Sequence, residues 1–320
     1  MSSQRAAAFV PGHVTAFFSA HSDERPAAAG SRGAGLTLTD GVDVAVAPTE
    51  PGERAEMGVG AETPDEANLS GENDEANLSG ENDGTNFSGE NDEVTLILNG
   101  EPAAIGAVTN VFDALGVRGR VAVDTDLPIG AGFGVSGAAA LGAALAANEA
   151  FGCGRSENEL VRIAHEAEVR SGTGLGDVVA QARGGVPIRL EPGAPGIGEL
   201  DGVPARTRVE YVTFGELSTE AILGGDTTVL SAAGETALDR LRSDPRLPTL
   251  MAAAREFAAD ADLLVPAVAE AIAAVDRAGG DAAMAMLGRT VFALGTGLSD
   301  AGYEPAVCRT HPAGARLVDE

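Results

Sequence analysis

The chain contains no lysine and no tryptophan, only two cysteines, and aromatic side chains make up 4% of its 320 residues. Without lysine, every basic side chain is an arginine, and no P-loop lysine can hold a phosphate. Few aromatics mean that the core is built from Ala, Val, Leu and Ile. Cys153 and Cys308 lie far apart and form no CxxC pair, so no thiolate metal site is expected. His13, His21, His165 and His311 show no zinc-ligand spacing. No apolar run reaches the length of a membrane span, and no basic-then-apolar leader opens the chain. A cytoplasmic location is the expectation.

Positive charge is also scarce. Asp and Glu number 48 against 21 basic residues, a net charge of −27. Such a surface repels nucleic acid and anionic membranes, so neither is expected as a partner. Two readings of the charge stand: a solubility device for a salt-rich, halophilic cytoplasm, or an acidic docking surface. The acids are spread along the chain, which favours the first. The sequence EANLSGEND at 66–74 recurs at 75–83 and is followed by GTNFSGEND at 84–92. Residues 62–93 hold 11 acids and no base. An acidic repeat so poor in apolar residues predicts disorder over about 50–93, ahead of a calcium-binding β-helix or a glycosylated segment.

The remaining pattern is α+β. Residues 35–48 read as a hairpin turning at Asp40–Gly41, with strands at 94–98 and 120–123. Helices are expected at 108–115 and 136–151. Ser156 and Glu159 form a capping box for a helix reaching about Arg170. Strands follow at 186–190 and 209–214, and helices at about 247–259, 266–278 and 281–295. Two short strands, 305–309 and 315–318, close the chain.

The stretch DLPIGAGFGVSGAAAL at 126–141 carries the strongest functional signal. Gly130, Gly132 and Gly134 alternate just ahead of an Ala-rich helix. Glycines allow positive φ and close backbone approach, and the amides of a helix start attract an anion. Ser136 adds a hydroxyl for a phosphate oxygen or a metal ion. The bland alternative is a turn that merely packs helix on strand. The spacing is neither a Walker loop nor a dinucleotide fingerprint.

This stretch resembles the second motif of the GHMP kinase superfamily, usually PxGxGLGSSAA. Phe133, Val135 and Gly137 depart from it, and Ser136 is retained. AFVPGHVTAFFS (Ala8–Ser19) resembles the superfamily's opening strand and turn. GTGLGDVVAQARGG (Gly172–Gly185) resembles the stretch that carries its catalytic aspartate. GSRGAGLTL (Gly30–Leu38), AHEAEVRSGTGLGD, MAMLGRTVFAL and HPAGARLV point to its archaeal pantoate kinase branch.

The resemblance implies a two-lobed GHMP kinase fold. Residues 1–190 would form an ATP-binding, ribosomal-protein-S5-domain-2-like part that contains the insert, and 191–320 a ferredoxin-like part. It implies ATP and Mg²⁺ as cofactors, pantoate as acceptor, and a homodimer. Pro128, Gly130, Gly132, Phe133, Gly134, Val135, Ser136 and Gly137 would hold the nucleotide. Ser136 and Glu168 would bind the metal, with Glu166 the competing carboxylate. Asp177 would act as base, its ordinary alternative being a helix cap. Ser31, His165, Arg189 and Thr219 would shape the acceptor pocket. The alternatives are another GHMP kinase, acting on mevalonate, homoserine or a sugar, and a non-catalytic nucleotide-binding protein.

Overall fold

The computed structural model describes residues 5–49, 94–215, 225–286 and 288–319. The acidic repeat and Thr219 therefore lie outside the described residues.

Two long antiparallel strands, β1 (Ala6–His21) and β2 (Gly30–Pro48), pair along almost their full length. Their apolar side chains, among them Val10, Val14, Phe17, Leu36 and Val44, are buried. β1 therefore contains no turn within Ala8–Ser19, and β2 is one strand where the sequence suggested a hairpin. Asp40–Gly41 is not a turn because Gly41 meets a different demand. A Cβ there would lie 2.4 Å from the Val10 carbonyl and 2.6 Å from the Phe9 ring. The glycine permits close strand packing rather than chain reversal.

The first half of β2 pairs with β6 (Val186–Glu191) and the second with β5 (Gly119–Asp124). β3 (Thr95–Leu98) adds in parallel to β5, and β4 (Glu101–Pro102) forms the edge. β7 (Glu199–Val203) pairs with β6, and β12 (Arg316–Val318) returns to β1, giving eight strands among the described residues. A second sheet has the order β11–β8–β10–β9, with β8 at Arg208–Thr213, β9 at Asp281–Ala285, β10 at Thr290–Leu294 and β11 at Ala306–Arg309.

Helix α2 (Val135–Phe151) packs on β1 and β2, and α1 (Gly106–Leu115) and α3 (Glu157–Ser171) cover it. α2 is buried almost all round, which suits its alanines and explains why it has no polar face. The capping box of α3 is present, Ser156 accepting from the Glu159 amide while Glu159 accepts from the Ser156 amide. α4 (Asp177–Arg183) is short and leads into β6.

In the C-terminal part, α5 (Thr228–Ser243), α6 (Leu247–Asp260) and α7 (Pro266–Arg277) precede β9, and the short α8 (Gly297–Asp300) follows β10. The helix expected at 281–295 is instead the hairpin β9–β10. A buried apolar run fits either state by periodicity. Here strand β8 supplies the hydrogen-bond partner for β10, and Gly288 turns the chain between the two strands. Helix α5 was missed from sequence. Its buried Leu230, Gly234, Ala237, Leu238 and Leu241 nevertheless follow helical spacing.

Candidate active site

The glycine loop runs from β5 into α2. Gly130, Gly132 and Gly134 have φ of 73°, 90° and 63°, in the left-handed region that favours glycine. Gly134 is the N-cap of α2 and no side chain caps this helix, so its first-turn amides remain available to an anion. The loop is held from several sides. The Phe133 carbonyl accepts from the His13 amide at 3.0 Å, and the Ala131 carbonyl accepts from the Thr290 hydroxyl at 2.8 Å. The Gln181 amide donates to the Gly134 carbonyl at 2.9 Å.

The turn of the β9–β10 hairpin lies on the loop. A Cβ on Gly288 would stand 2.0 Å from the Ala131 carbonyl oxygen. Phe133 is buried and packs against Tyr211 of β8 in a tilted pair with ring centroids 4.7 Å apart, so its side chain ties the loop to the second sheet. Gly137 has its own reason. A Cβ there would lie 3.2 Å from Val178 and 3.3 Å from Gln181, because α4 packs close to α2.

Glu166 and Glu168 part company on α3. Glu166 pairs with Arg170 at 2.6 Å on the outer face. Glu168 is 3% exposed, and its Oε2 accepts from the Ser136 hydroxyl at 3.0 Å. The Thr173 hydroxyl lies 3.2 Å from Ser136. Burial, and then the negative charge of Asp177, push the Glu168 carboxyl up to about 7.

Asp177 is the first residue of α4, whose N-cap is Gly176 and has no side-chain cap bond. Its Oδ1 lies 2.6 Å from Nδ1 of His13 and 3.4 Å from the Thr15 hydroxyl. Burial opposes its ionisation. The hydrogen bond from His13, with the charge of Arg189 and the Thr15 hydroxyl, outweighs burial and holds its pKa below the usual range.

Arg189 is 2% exposed, and its Nε donates to the Ser31 hydroxyl at 3.1 Å. One terminal nitrogen, Nη1, is buried without a partner. Burial lowers its pKa to about 10 against the opposing charge of Asp177. Thr15, Phe18, Ser31, Gly174, Leu175, Gly176, Asp177 and Arg189 line a small cavity that opens to solvent.

Asp177, Ser31 and Arg189 thus meet in one cavity, and Ser136 and Glu168 meet beside the glycine loop. His165 does not line the cavity. It is buried, and its Nε2 donates to the Ala29 carbonyl at 2.9 Å, two residues before Ser31. Sequence reasoning missed His13, Thr15, Thr173 and Gln181. His13 carried a usable signal, being a ring with two polar nitrogens between the apolar residues Val10 and Val14 of its strand.

Residues 103–185, which span the glycine loop, Glu168 and Asp177, match the family described as GHMP kinases N terminal domain. The structure of a homoserine kinase from Cytophaga hutchinsonii superposes with a TM-score of 0.61 at 14% identity, over 99% of this chain and 98% of that one, a likeness of fold alone. The fold and the loop define a GHMP kinase.

A narrower kinship is visible over the whole chain. The pantoate kinase of Thermococcus kodakarensis is 35% identical over 299 residues, covering 90% of this chain and 86% of the relative. That of Methanospirillum hungatei is 28% identical over 291 residues, covering 91% and 88%. A solved structure described as a phosphotransferase related to the CoA biosynthesis pathway superposes with a TM-score of 0.76 at 28% identity, covering 98% and 99%. The chain belongs to the pantoate kinase family.

Proposed function

We propose that the protein transfers the γ-phosphoryl group of ATP to the 4-hydroxyl of (R)-pantoate, giving 4-phosphopantoate for coenzyme A synthesis. The observation that carries this reading is Arg189. A buried guanidinium with an unpartnered Nη1, lining a cavity beside a partly exposed aspartate, suits an acceptor that bears both a carboxylate and a hydroxyl. Mevalonate and homoserine also carry these groups, so family membership supports pantoate among them.

The residues that line the glycine loop and the cavity then divide the work. The free amides from Gly130 to Gly137 bind the nucleotide phosphates. Ser31 and Arg189 hold the acceptor carboxylate, and Asp177 receives the proton of the hydroxyl as its oxygen attacks the γ-phosphorus. Thr219 completes the acceptor pocket in the same proposal, and His165 supports the strand that carries Ser31.

Mg²⁺ fits the donor set of Ser136 and Glu168, two oxygen ligands beside the phosphate loop, which leaves room for phosphate oxygens and water. When bound, it would neutralise phosphate charge.

The cytoplasmic setting, the homodimer and the halophilic source belong to the same proposal. The net charge of −27 supports the last of these. The test is ADP release with ATP and a panel of pantoate, mevalonate, homoserine and sugars, assayed in high salt. Turnover with pantoate supports the reading, and turnover only with another acceptor overturns it.

A further inference from the structure

His13 links two parts of the site. Its backbone amide donates to the Phe133 carbonyl of the glycine loop at 3.0 Å, and its ring holds Asp177 at 2.6 Å. The register of β1 against β2 shifts between Pro11 and His13, and again between Thr15 and Phe17. Such irregularities re-aim side chains. Here both His13 and Thr15 reach the same oxygen, Oδ1 of Asp177.

The ring has little freedom. His13 is fully buried, and a Cβ on Gly35 of the paired strand would lie 2.4 Å from its Nε2. The second carboxylate oxygen lies apart. Oδ2 of Asp177 stands 3.4 Å from where a Cβ on Gly174 would be, and Gly174 lines the acceptor cavity. One oxygen is therefore tethered and the other faces the cavity.

The proton on the ring can be placed as well. A carboxylate oxygen accepts, so Nδ1 carries the hydrogen. Nε2 is buried without a partner. An imidazolium would place an N–H there with no acceptor and would bury a charge, which costs more than a bare ring nitrogen. The charged groups facing the pair are Arg189 from β6 and Glu168 from α3.

We propose that His13 is a positioning residue for phosphoryl transfer: as the neutral Nδ1–H tautomer it fixes Oδ1 of Asp177 and aims Oδ2 at the acceptor hydroxyl. The inference rests on the kinase reading above. In the step itself the acceptor O–H bond breaks and its proton moves to Oδ2. The oxygen forms a bond to the γ-phosphorus, and the bond to the ADP oxygen breaks with its electron pair leaving on ADP. His13 keeps its proton throughout.

Three variants test this. His13→Asn puts an amide N–H near the place of Nδ1, His13→Gln puts one near Nε2, and His13→Ala removes both. Ala and Gln should lower kcat about 100-fold, the scale of a misplaced reacting group. KM for ATP and for pantoate should stay within about 3-fold of wild type, since His13 touches neither substrate. Asn should recover at least about 10-fold of the loss. Wild-type kcat in the Ala variant, equal kcat in Asn and Ala, or a loss confined to KM would overturn the assignment.

Nitrogen NMR of ¹⁵N-histidine-labelled wild type, with the His13 ring signals assigned by their loss in His13→Asn, provides a readout that needs no acceptor. It should find His13 protonated on Nδ1 and bare on Nε2 from about pH 5.5 to 7.5. A protonated Nε2 in that range overturns the proposal. Absence of pantoate-dependent turnover in the wild type would sink the kinase reading instead, and the spectrum would still decide the tether.

Discussion

The Ser136 hydroxyl donates to Oε2 of Glu168 at 3.0 Å, joining the first turn of α2 to the last turns of α3. Glu168 is held up to about 7, first by burial and then by the charge of Asp177. A metal ligand must be deprotonated, so Mg²⁺ binding should release a proton and weaken as pH falls below about 7. Isothermal titration in two buffers of different ionisation enthalpy reads that proton directly. Glu168→Gln should abolish the release and lower kcat/KM for ATP at least about 100-fold.

The same carboxyl gives a stability prediction. The folded protein holds the Glu168 proton up to about 7, whereas the unfolded chain loses it near the ordinary glutamate value of 4.5. Between those values the folded state binds more protons, so this group's contribution falls as pH rises. His13 and His165 act the other way. Burial lowers both, so the unfolded chain takes up protons first and their contribution grows as pH rises towards 6.5. The readout is therefore the difference between wild type and Glu168→Gln in the absence of metal. The Tm of wild type relative to the variant should decline from pH 5 to 7. A flat difference would show that Glu168 is ionised in the free protein.

Arg189 should govern the acceptor alone. Its side chain bonds Ser31 and lines the cavity, whereas the glycine loop is held by other residues. Each charge-assisted hydrogen bond contributes about 1.5–3 kcal/mol, so Arg189→Met should raise the pantoate KM by about 10- to 150-fold. KM for ATP should change little. Arg189→Lys should recover only part, since an ammonium cannot bond Ser31 and a carboxylate in the same fork. Equal losses for both substrates would place Arg189 on the nucleotide.

Much of this site was readable in the sequence because its parts are local. The glycine loop, the capping box and the TGLGD turn each lie within a dozen residues. The roles proposed for them follow from glycine freedom, helix starts and carboxylate chemistry. The ambiguity between Glu166 and Glu168 was not local, since it depends on which face of α3 meets α2. His13 is 164 residues from Asp177, and no spacing rule joins them. The β9–β10 hairpin was misread for a related reason. The buried segment becomes two strands because β8 offers hydrogen bonds to β10, which in turn pairs with the Ala-rich β9, and that partner is invisible to periodicity. Asp40–Gly41 misled because a turn dipeptide also suits two strands that pack closely.

Gly288 offers a test of how the hairpin supports the loop. A methyl group there would meet the backbone oxygen of Ala131 at 2.0 Å, and backbone does not yield as a flexible side chain does. Gly288→Ala should destabilise the protein by about 1–3 kcal/mol, the usual cost of overpacking, and weaken ATP binding. Gly106→Ala is the control. Its nearest neighbour is the Ser171 hydroxyl at 3.4 Å, and it lies in the first turn of α1, where alanine is the better helix former. It should be neutral or stabilising. Equal Tm values for the two variants would mean that the hairpin does not bear on the loop.

Salt should stabilise this chain. With 48 acids against 21 bases and no lysine, like charges repel in the folded state. Screening shortens the range of that repulsion from about 10 Å at 0.1 M to about 3 Å at 1 M ionic strength. Raising KCl over that interval should increase both Tm and kcat/KM. Residues 62–93 contribute 11 of the acids, so a chain lacking them should reach its plateau at lower salt and keep its activity there. Full activity and an unchanged Tm at 0.1 M would remove the halophilic reading. A well-folded but inactive deletion would instead assign the acidic repeat a part in catalysis.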